Sequence, residues 1–385
     1  MSEPLELTVP GSDTRSARRH LGAALAKLVR DLQRVTLPLD PLLAADARAV
    51  LGLLGPLSRR QPGLVWSALR RPSVYCHLRL AADGAPDATL LHTGLVTLAA
   101  ELAASGALEE AVVLRRAPSR IVLRSLLEEI TPRPGVALRL APDGTPTQDG
   151  QPCARRRAFI PLSPSTALAL ADDNPLASLE AHPDKNGSQL DLGDAPTERW
   201  VAALKDASAR IAAGLPVLAE ELELVVSVIV PVGTHDERHL SASYREALGL
   251  VYVTLHPDPL TMTEAVVHEA QHNKLNAVLS VDPLLENLAE ERYRSPVRPD
   301  PRPLLGVLLA VHAFVPVALL YRALRRAGDP LVLGARAEAR LEAILRGNEE
   351  GLELLERHAR PTSAGAELLR ELRHWHDASA HAQLG

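Results

Sequence analysis

Two histidines four residues apart are the residues of this sequence best suited to metal chemistry. The segment 268–272 reads HEAQH, so His268 and His272 have the H-E-x-x-H spacing. On a helix, positions i and i+4 lie on one face about 6 Å apart, and their imidazoles can bind one cation. Glu269 between them could act as a general base. The pattern predicts a mononuclear metal site on a helix, with Glu269 as a catalytic residue.

The residues around the motif favour a helix from Met262 to Ser280. Thr261 and Glu264 have the spacing of a capping box, which would start this helix. Leu275 falls on the same helical stripe as the two histidines. That stripe predicts that the histidines point toward the protein interior.

A catalytic metal usually has three protein ligands and one open position, so a third ligand is needed. His312 is one candidate, because it lies in the middle of a long uncharged segment. Glu290 and Glu291 are the others, at the separation expected of a gluzincin-like site. Leu275 and Val278 stand where the metzincin extension requires Gly and His, which excludes that subclass.

The remaining polar clusters predict solvent-exposed surface. His374 and His376 are two apart and would diverge on a helix, and His235 and His239 follow turn-forming residues. The basic run at 155–157 predicts a solvated loop.

The hydrophobic periodicity predicts a helix-dominated α+β fold, with a small sheet and a buried central helix packed on the motif helix. We expect helices at 16–35, 41–57, 87–105, 197–220, 262–280, 284–294, 302–326, 335–358 and 364–378. We expect strands at 110–115, 120–124, 136–140, 158–162, 222–231 and 249–255. The loop-like composition of 172–196 favours two regions, an N-terminal accessory region (1–160) that could recognise a peptide, and a metal-site catalytic domain (161–385).

Composition narrows the class of protein. Apolar residues make up 46% and charged residues 23%, as in a folded globular protein, and the net charge of −5 predicts no nucleic-acid partner. Two cysteines and the lack of a signal-peptide pattern favour a cytoplasmic location.

The uncharged segment 303–321 is long enough to span a membrane, but Gly306, His312 and Pro316 inside it favour a buried core helix and no membrane partner. The oligomeric state stays open.

Several segments resemble the HExxH-motif family of bacterial peptide-modifying proteins, which are iron- and 2-oxoglutarate-dependent peptide β-hydroxylases. The resemblance covers roughly residues 160 to 330. It rests on HEAQHNKL (268–275), SPVRPDPRPL (295–304), HAF (312–314), DNPL (173–176), HPDK (182–185) and LDLG (190–193).

The resemblance implies an oxidoreductase, a dioxygenase with Fe(II) bound by His268, His272 and a third ligand that best matches His312. It implies 2-oxoglutarate and dioxygen as cosubstrates and a ribosomally made precursor peptide as substrate, one residue of which gains a β-hydroxyl group in RiPP biosynthesis. The role of Glu269 stays open. Three histidines depart from the 2-His-1-carboxylate triad common in such oxygenases.

Such an oxygenase must also bind the distal carboxylate of 2-oxoglutarate. Arginine suits this task, because its planar guanidinium matches a carboxylate. Arg298 and Arg302 precede the helix of His312 in a Pro-rich loop, and we expect them to bind the cosubstrate, unless they are surface charges beside Asp300. Asn276, one turn beyond His272, is a further candidate for cosubstrate binding.

Two other functions fit the same motif. One is a zinc metallopeptidase with Glu269 as general base, for which Glu290 or Glu291 would be the third ligand. The other is a non-catalytic scaffold that recognises a peptide and has a structural metal. His312 as third ligand would favour the hydroxylase.

Overall fold

Helices dominate the part of the chain that the computed structural model describes, which comprises residues 6–35, 40–83, 87–176, 189–237, 239–289, 291–294 and 300–381. The residues that the structure describes are 55% helical and form 11 helices and several small sheets. The predicted α+β, helix-dominated class is therefore confirmed.

The helices are α1 (Arg15–Leu32), α2 (Pro41–Arg60), α3 (Pro62–Leu69), α4 (Pro72–Asp83), α5 (Ala88–Ala104), α6 (Thr197–Gly214), α7 (Pro216–Val225), α8 (Pro259–Leu279), α9 (Leu304–Arg326), α10 (Ala335–His358) and α11 (Ser363–His381). The strands are β1 (Val112–Leu114), β2 (Ile121–Leu123), β3 (Glu128–Thr131), β4 (Leu138–Leu140), β5 (Pro146–Gln148), β6 (Gln151–Pro152), β7 (Ala154–Arg157), β8 (Phe159–Pro161), β9 (Ala167–Ala169), β10 (Val228–Thr234), β11 (Ser241–Ala242), β12 (Leu250–Leu255), β13 (Arg292–Tyr293) and β14 (Arg302–Pro303).

The largest sheet among the described residues has five strands in the order β11-β12-β10-β9-β8. Strand β10 runs parallel to both β12 and β9, and β11 and β8 are antiparallel edge strands. All six residues of β12 are buried, as expected of a strand covered on both faces. This strand leads through a short connection into α8, the motif helix.

The motif helix begins earlier than its predicted capping box. Asp258 is the N-cap, and its carboxylate accepts a hydrogen bond from the Leu260 N–H at 3.1 Å. Thr261 is already inside the helix and donates to Asp258, and Glu264 pairs with Arg340 instead of the helix start. The capping-box prediction was wrong because Pro259 can occupy the first helical turn, where its missing N–H costs nothing.

Residues 304–321 of the apolar segment form most of α9, the predicted central helix. It packs against α8, α6, α10 and α11. By length and composition, this one described helix could cross a membrane, yet 72% of its most apolar window is buried inside the protein. A helix that is apolar on all sides suits such a central position.

A continuous hydrophobic core crosses the predicted region boundary near residue 160. It joins Leu28 of α1 and Leu98 of α5 to Val267 of the motif helix and Val317 of α9. Helix α1 packs directly on α8. The N-terminal helices therefore support the motif helix.

Three local predictions were wrong. The expected strand 222–231 is divided between the end of α7 and β10, which starts at Val228. The expected helix 284–294 is irregular, because Leu284 has a positive φ of 63° and Glu286 N–H binds Arg360 O. The basic run 155–157 is part of β7, where it pairs with acidic β3.

Candidate metal centre

Helix α8 brings three possible ligand side chains together. The ligand atoms of His268, Glu269 and His272 all lie within 4.8 Å of one another, and the two imidazole ring centroids are 4.4 Å apart. The histidines are half-buried and Glu269 is 2% exposed. Within the described ranges this is the only group of three or more such residues. The group could hold a metal ion, as the motif predicted.

The Glu269 carboxylate is buried, and its neighbours favour the ionised form. Burial by itself would raise its pKa, but His272, His268 and a hydrogen bond from Ser241 together hold the pKa below its ordinary value. Its Oε2 atom is buried and has no hydrogen-bond partner among the described residues. A buried carboxylate oxygen of this kind can accept a proton or bind a cation.

Polar contacts fix the motif helix against its neighbours. The Asn273 side chain accepts from Gly249 N–H at 2.7 Å and donates to Leu250 O at 3.1 Å, which ties α8 to the start of β12. Lys274 forms an ion pair of 2.9 Å with Glu221 of α7, and both side chains are 1% exposed. These contacts explain the polar residues on the buried side of α8.

An aromatic ring and a cation lie beside His268. The Phe314 ring centroid is 4.8 Å from that of His268, and the Arg340 guanidinium lies 5.5 Å from the Phe314 centroid. Arg340 is also paired with Glu264 at 2.7 Å. Sequence reasoning missed Arg340, because no local pattern connects α10 with the motif helix.

His312 is fully buried in α9, in the predicted interior position, but outside the group of close ligand atoms. Its Nε2 lies 2.8 Å from the carbonyl oxygen of Leu7. A carbonyl can only accept, so Nε2 carries the hydrogen and the lone pair is on Nδ1. Nδ1 is buried and has no hydrogen-bond partner among the described residues. Burial lowers the pKa of His312 to about 3, which keeps the ring neutral.

Two histidines predicted to be surface residues are partly or fully buried. His239 lies just before β11, and burial lowers its pKa to about 4, although nearby Glu269 opposes the shift. Its Nε2 is buried without a hydrogen-bond partner in the described part of the chain. His376 is 3% exposed and its Nε2 contacts Glu349 at 2.8 Å. His374 is exposed, as predicted.

Of the two acidic candidates for the third ligand, only Glu291 is described, and no described contact joins it to the motif helix. Glu291 is exposed in an irregular segment and accepts a hydrogen bond of 2.7 Å from the Tyr293 hydroxyl. Glu290 lies outside the described residues, as does Arg298, the first of the two predicted cosubstrate-binding arginines.

The other predicted cosubstrate residues lie on different elements. Asn276 is 7% exposed on α8, one turn beyond His272. Arg302 lies in β14, before α9, with its Nε 2.8 Å from the Asp300 carboxylate. Helix α9 rises about 12 Å from its first residue to His312. Arg302 is therefore an ion-paired residue near the start of α9, and no described contact joins it to the motif histidines.

Comparison with known protein families finds no family model that matches this chain. A comparison with curated proteins also finds no match. Assignment of a function therefore depends on the chemistry of the site itself.

Proposed function

We propose that this protein is a non-haem Fe(II)- and 2-oxoglutarate-dependent oxygenase that β-hydroxylates a residue of a ribosomally made precursor peptide. The observation that carries the proposal is the tautomer of His312. A neutral imidazole that donates one N–H to a backbone carbonyl and keeps the other nitrogen unpaired has the usual state of a metal-binding histidine.

The donor types of the proposed ligands suit a mononuclear iron. His268 and His272 would supply two imidazoles and His312 a third, through Nδ1. Imidazole nitrogen suits Fe, Zn, Cu and Ni, so the donor types alone permit iron without selecting it. When bound, iron with 2-oxoglutarate and dioxygen would supply the oxidation that converts a C–H bond to C–OH while 2-oxoglutarate becomes succinate and carbon dioxide.

Glu269 has a separate role in this proposal. Its carboxylate is ionised and adjoins both motif histidines, so it would stabilise the positive charge of the site and accept a hydrogen bond from a bound group. The Phe314 ring beside His268 would exclude water from one side of the site.

The cosubstrate would be held by its distal carboxylate. Arg298 and Arg302 remain the proposed partners, and binding through Arg302 requires it to exchange its ion pair with Asp300. Arg302 is about one-third exposed, so this exchange involves little desolvation. Asn276 would donate a hydrogen bond from the motif helix.

The N-terminal region would contribute to recognition of the peptide. Helices α1, α2 and α3 line an apolar pocket of about 230 Å³, with Trp66 at its edge. Trp66 is 37% exposed, which is unusual for so large an apolar side chain. We propose that an apolar side chain of the precursor peptide binds there, and that the protein acts in the cytoplasm without a nucleic-acid or membrane partner.

A zinc metallopeptidase is the second candidate. The buried, ionised Glu269 favours it, because the general base of such an enzyme must be a carboxylate beside the metal. The exposed position of Glu291 on an irregular segment does not favour it.

Mass spectrometry of the treated peptide separates the two functions. The purified protein would be incubated with candidate precursor peptides encoded near its gene, with Fe(II), 2-oxoglutarate and oxygen, or with Zn(II) alone. A gain of one oxygen atom by an intact peptide supports the hydroxylase. Two fragments with Zn(II) and no 2-oxoglutarate would show a peptidase instead.

A further inference from the structure

A short segment near the N-terminus, residues 6–10, passes through the protein interior without being part of a helix or strand. We call it the N-terminal strap. Leu7 is 1% exposed and Thr8 is fully buried. The Leu7 side chain belongs to the apolar cluster that contains Leu275 of α8 and Val311 of α9. Buried backbone groups outside regular structure need partners from elsewhere in the protein.

Side chains of two helices supply partners for the strap. The Glu371 carboxylate of α11 accepts hydrogen bonds from Leu7 N–H at 2.7 Å and from Thr8 N–H at 3.1 Å. The Lys274 ammonium of α8 lies 3.4 Å from the Thr8 carbonyl, while it is paired with Glu221. Two amides and one carbonyl of the strap backbone are thus bound by charged groups.

The third partner is His312 of α9. The Leu7 carbonyl accepts its Nε2–H, and this hydrogen bond determines which nitrogen of the ring keeps a lone pair. Without an acceptor at this position, the proton could equally reside on Nδ1, and Nδ1 could then bind no metal.

We infer that the N-terminal strap is a positioning element of the metal centre. Glu371 holds the strap, the strap's Leu7 carbonyl fixes the tautomer and orientation of His312, and His312 binds the metal through Nδ1. The inference rests on the proposed role of His312 as a ligand. Since coupling between two binding events is reciprocal, docking of the strap strengthens metal binding and metal binding strengthens docking of the strap.

The test measures the binding of Co(II), used as the probe metal, to the full-length chain. Glu371→Ala removes the acceptor for the strap, Glu371→Gln keeps a side-chain oxygen at that position, and Glu353→Ala removes an exposed glutamate of α10 as a matched control. We expect Glu371→Ala to weaken Co(II) binding about 10- to 100-fold and to change the visible Co(II) spectrum. Glu371→Gln should largely restore both, and the control should change neither.

Hydrogen exchange gives a second readout that is independent of activity. Amide exchange at Leu7 and Thr8 should slow when Zn(II) or Co(II) is added to the wild-type protein. If Glu371→Ala does not fold, a chain lacking residues 1–8 replaces it, and a synthetic peptide of residues 1–12 should restore Co(II) affinity. The inference is wrong if added metal does not change amide exchange at Leu7 and Thr8. It is also wrong if the chain lacking residues 1–8 binds Co(II) as tightly as the wild-type protein.

His312→Ala distinguishes failure of the inference from failure of the proposed function. If His312→Ala binds Co(II) as tightly as wild type, His312 is not a ligand, and the proposed site itself is wrong. If His312→Ala loses affinity while both strap variants keep it, only the role of the strap is wrong.

Discussion

At the level of single residues, the proposed metal site uses three imidazoles and one carboxylate that have different tasks. His268 and His272 share a helix face, and the motif alone predicts that pair. His312 is buried on another helix, outside the close group of ligand atoms on α8, and its hydrogen bond to Leu7 leaves the lone pair on Nδ1. Glu269 keeps its charge although it is buried, because both motif histidines oppose the cost of burial.

Loss of any of the three imidazoles should remove the metal. His268→Ala, His272→Ala and His312→Ala should each lower metal affinity at least about 100-fold, since even contacts beyond the ligands matter by 10- to 100-fold. Glu269→Gln should keep the metal and lose activity. Metal content after gel filtration, measured by inductively coupled plasma mass spectrometry, checks this. If His312→Ala keeps its full metal content while Glu290→Ala or Glu291→Ala loses metal, that glutamate is the third ligand and His312 is not.

The proposed 2-oxoglutarate anchor gives a second prediction at this scale. Removal of a charge-assisted arginine–carboxylate pair costs about 2–5 kcal/mol, so Arg298→Ala or Arg302→Ala should weaken 2-oxoglutarate binding at least about 30-fold with iron retained. Calorimetric titration of the Fe(II)-loaded variants under nitrogen measures this. If Arg298→Ala and Arg302→Ala both bind 2-oxoglutarate normally and Arg340→Ala does not, the distal carboxylate is bound by Arg340 of α10 instead.

At the level of helices and strands, the backbone of α11 lies in direct contact with the segment around Leu284. This contact fixes the position of α11 and therefore of Glu371. A Cβ at Gly365 would lie 1.8 Å from the Leu284 carbonyl oxygen, so the two chain segments touch at this point. The positive φ of Leu284 and the Glu286–Arg360 hydrogen bond hold the same connection.

Gly365→Ala should therefore destabilise the protein, by about 1–3 kcal/mol or more, because the clash is with backbone that cannot move away alone. Gly22→Ala is the matched control: it lies within α1, its Cβ would meet nothing within 4 Å, and it should stabilise the helix by about 0.5–1 kcal/mol. Urea denaturation measures both free energies of unfolding. Equal stability of Gly365→Ala and wild type would contradict this packing.

The elements that could be predicted are those with long, regular periodicity. The motif helix, the central apolar helix and α10 are close to their expected bounds, because apolar spacing dominates over 20 or more residues. The 284–294 segment also has helical spacing, but hydrogen bonds to 358–362 override it. The surroundings of His239 could not be predicted, because its neighbours His256 and Glu269 are distant from it in the sequence.

At the scale of the whole molecule, one core joins the N-terminal helices to the metal-site half. The sequence suggested two regions, and the described core crosses the boundary between them. The central helix α9 is mostly buried by this packing.

The burial of α9 predicts that the protein needs no detergent. Lysis without detergent followed by ultracentrifugation should leave the chain in the supernatant, as a single species on gel filtration. Recovery only in the membrane pellet would contradict the assignment of α9 as a core helix.

The most direct test of the central claim requires no knowledge of the peptide. Fe(II)-loaded protein would be titrated with 2-oxoglutarate under nitrogen while the visible absorption is recorded, with His268→Ala and His272→Ala as controls. We expect a new charge-transfer band that saturates at one 2-oxoglutarate per chain and is absent from both controls. No band and no heat of binding with 2-oxoglutarate, together with cleavage of casein by the Zn(II)-loaded protein, would contradict the account and assign a metallopeptidase.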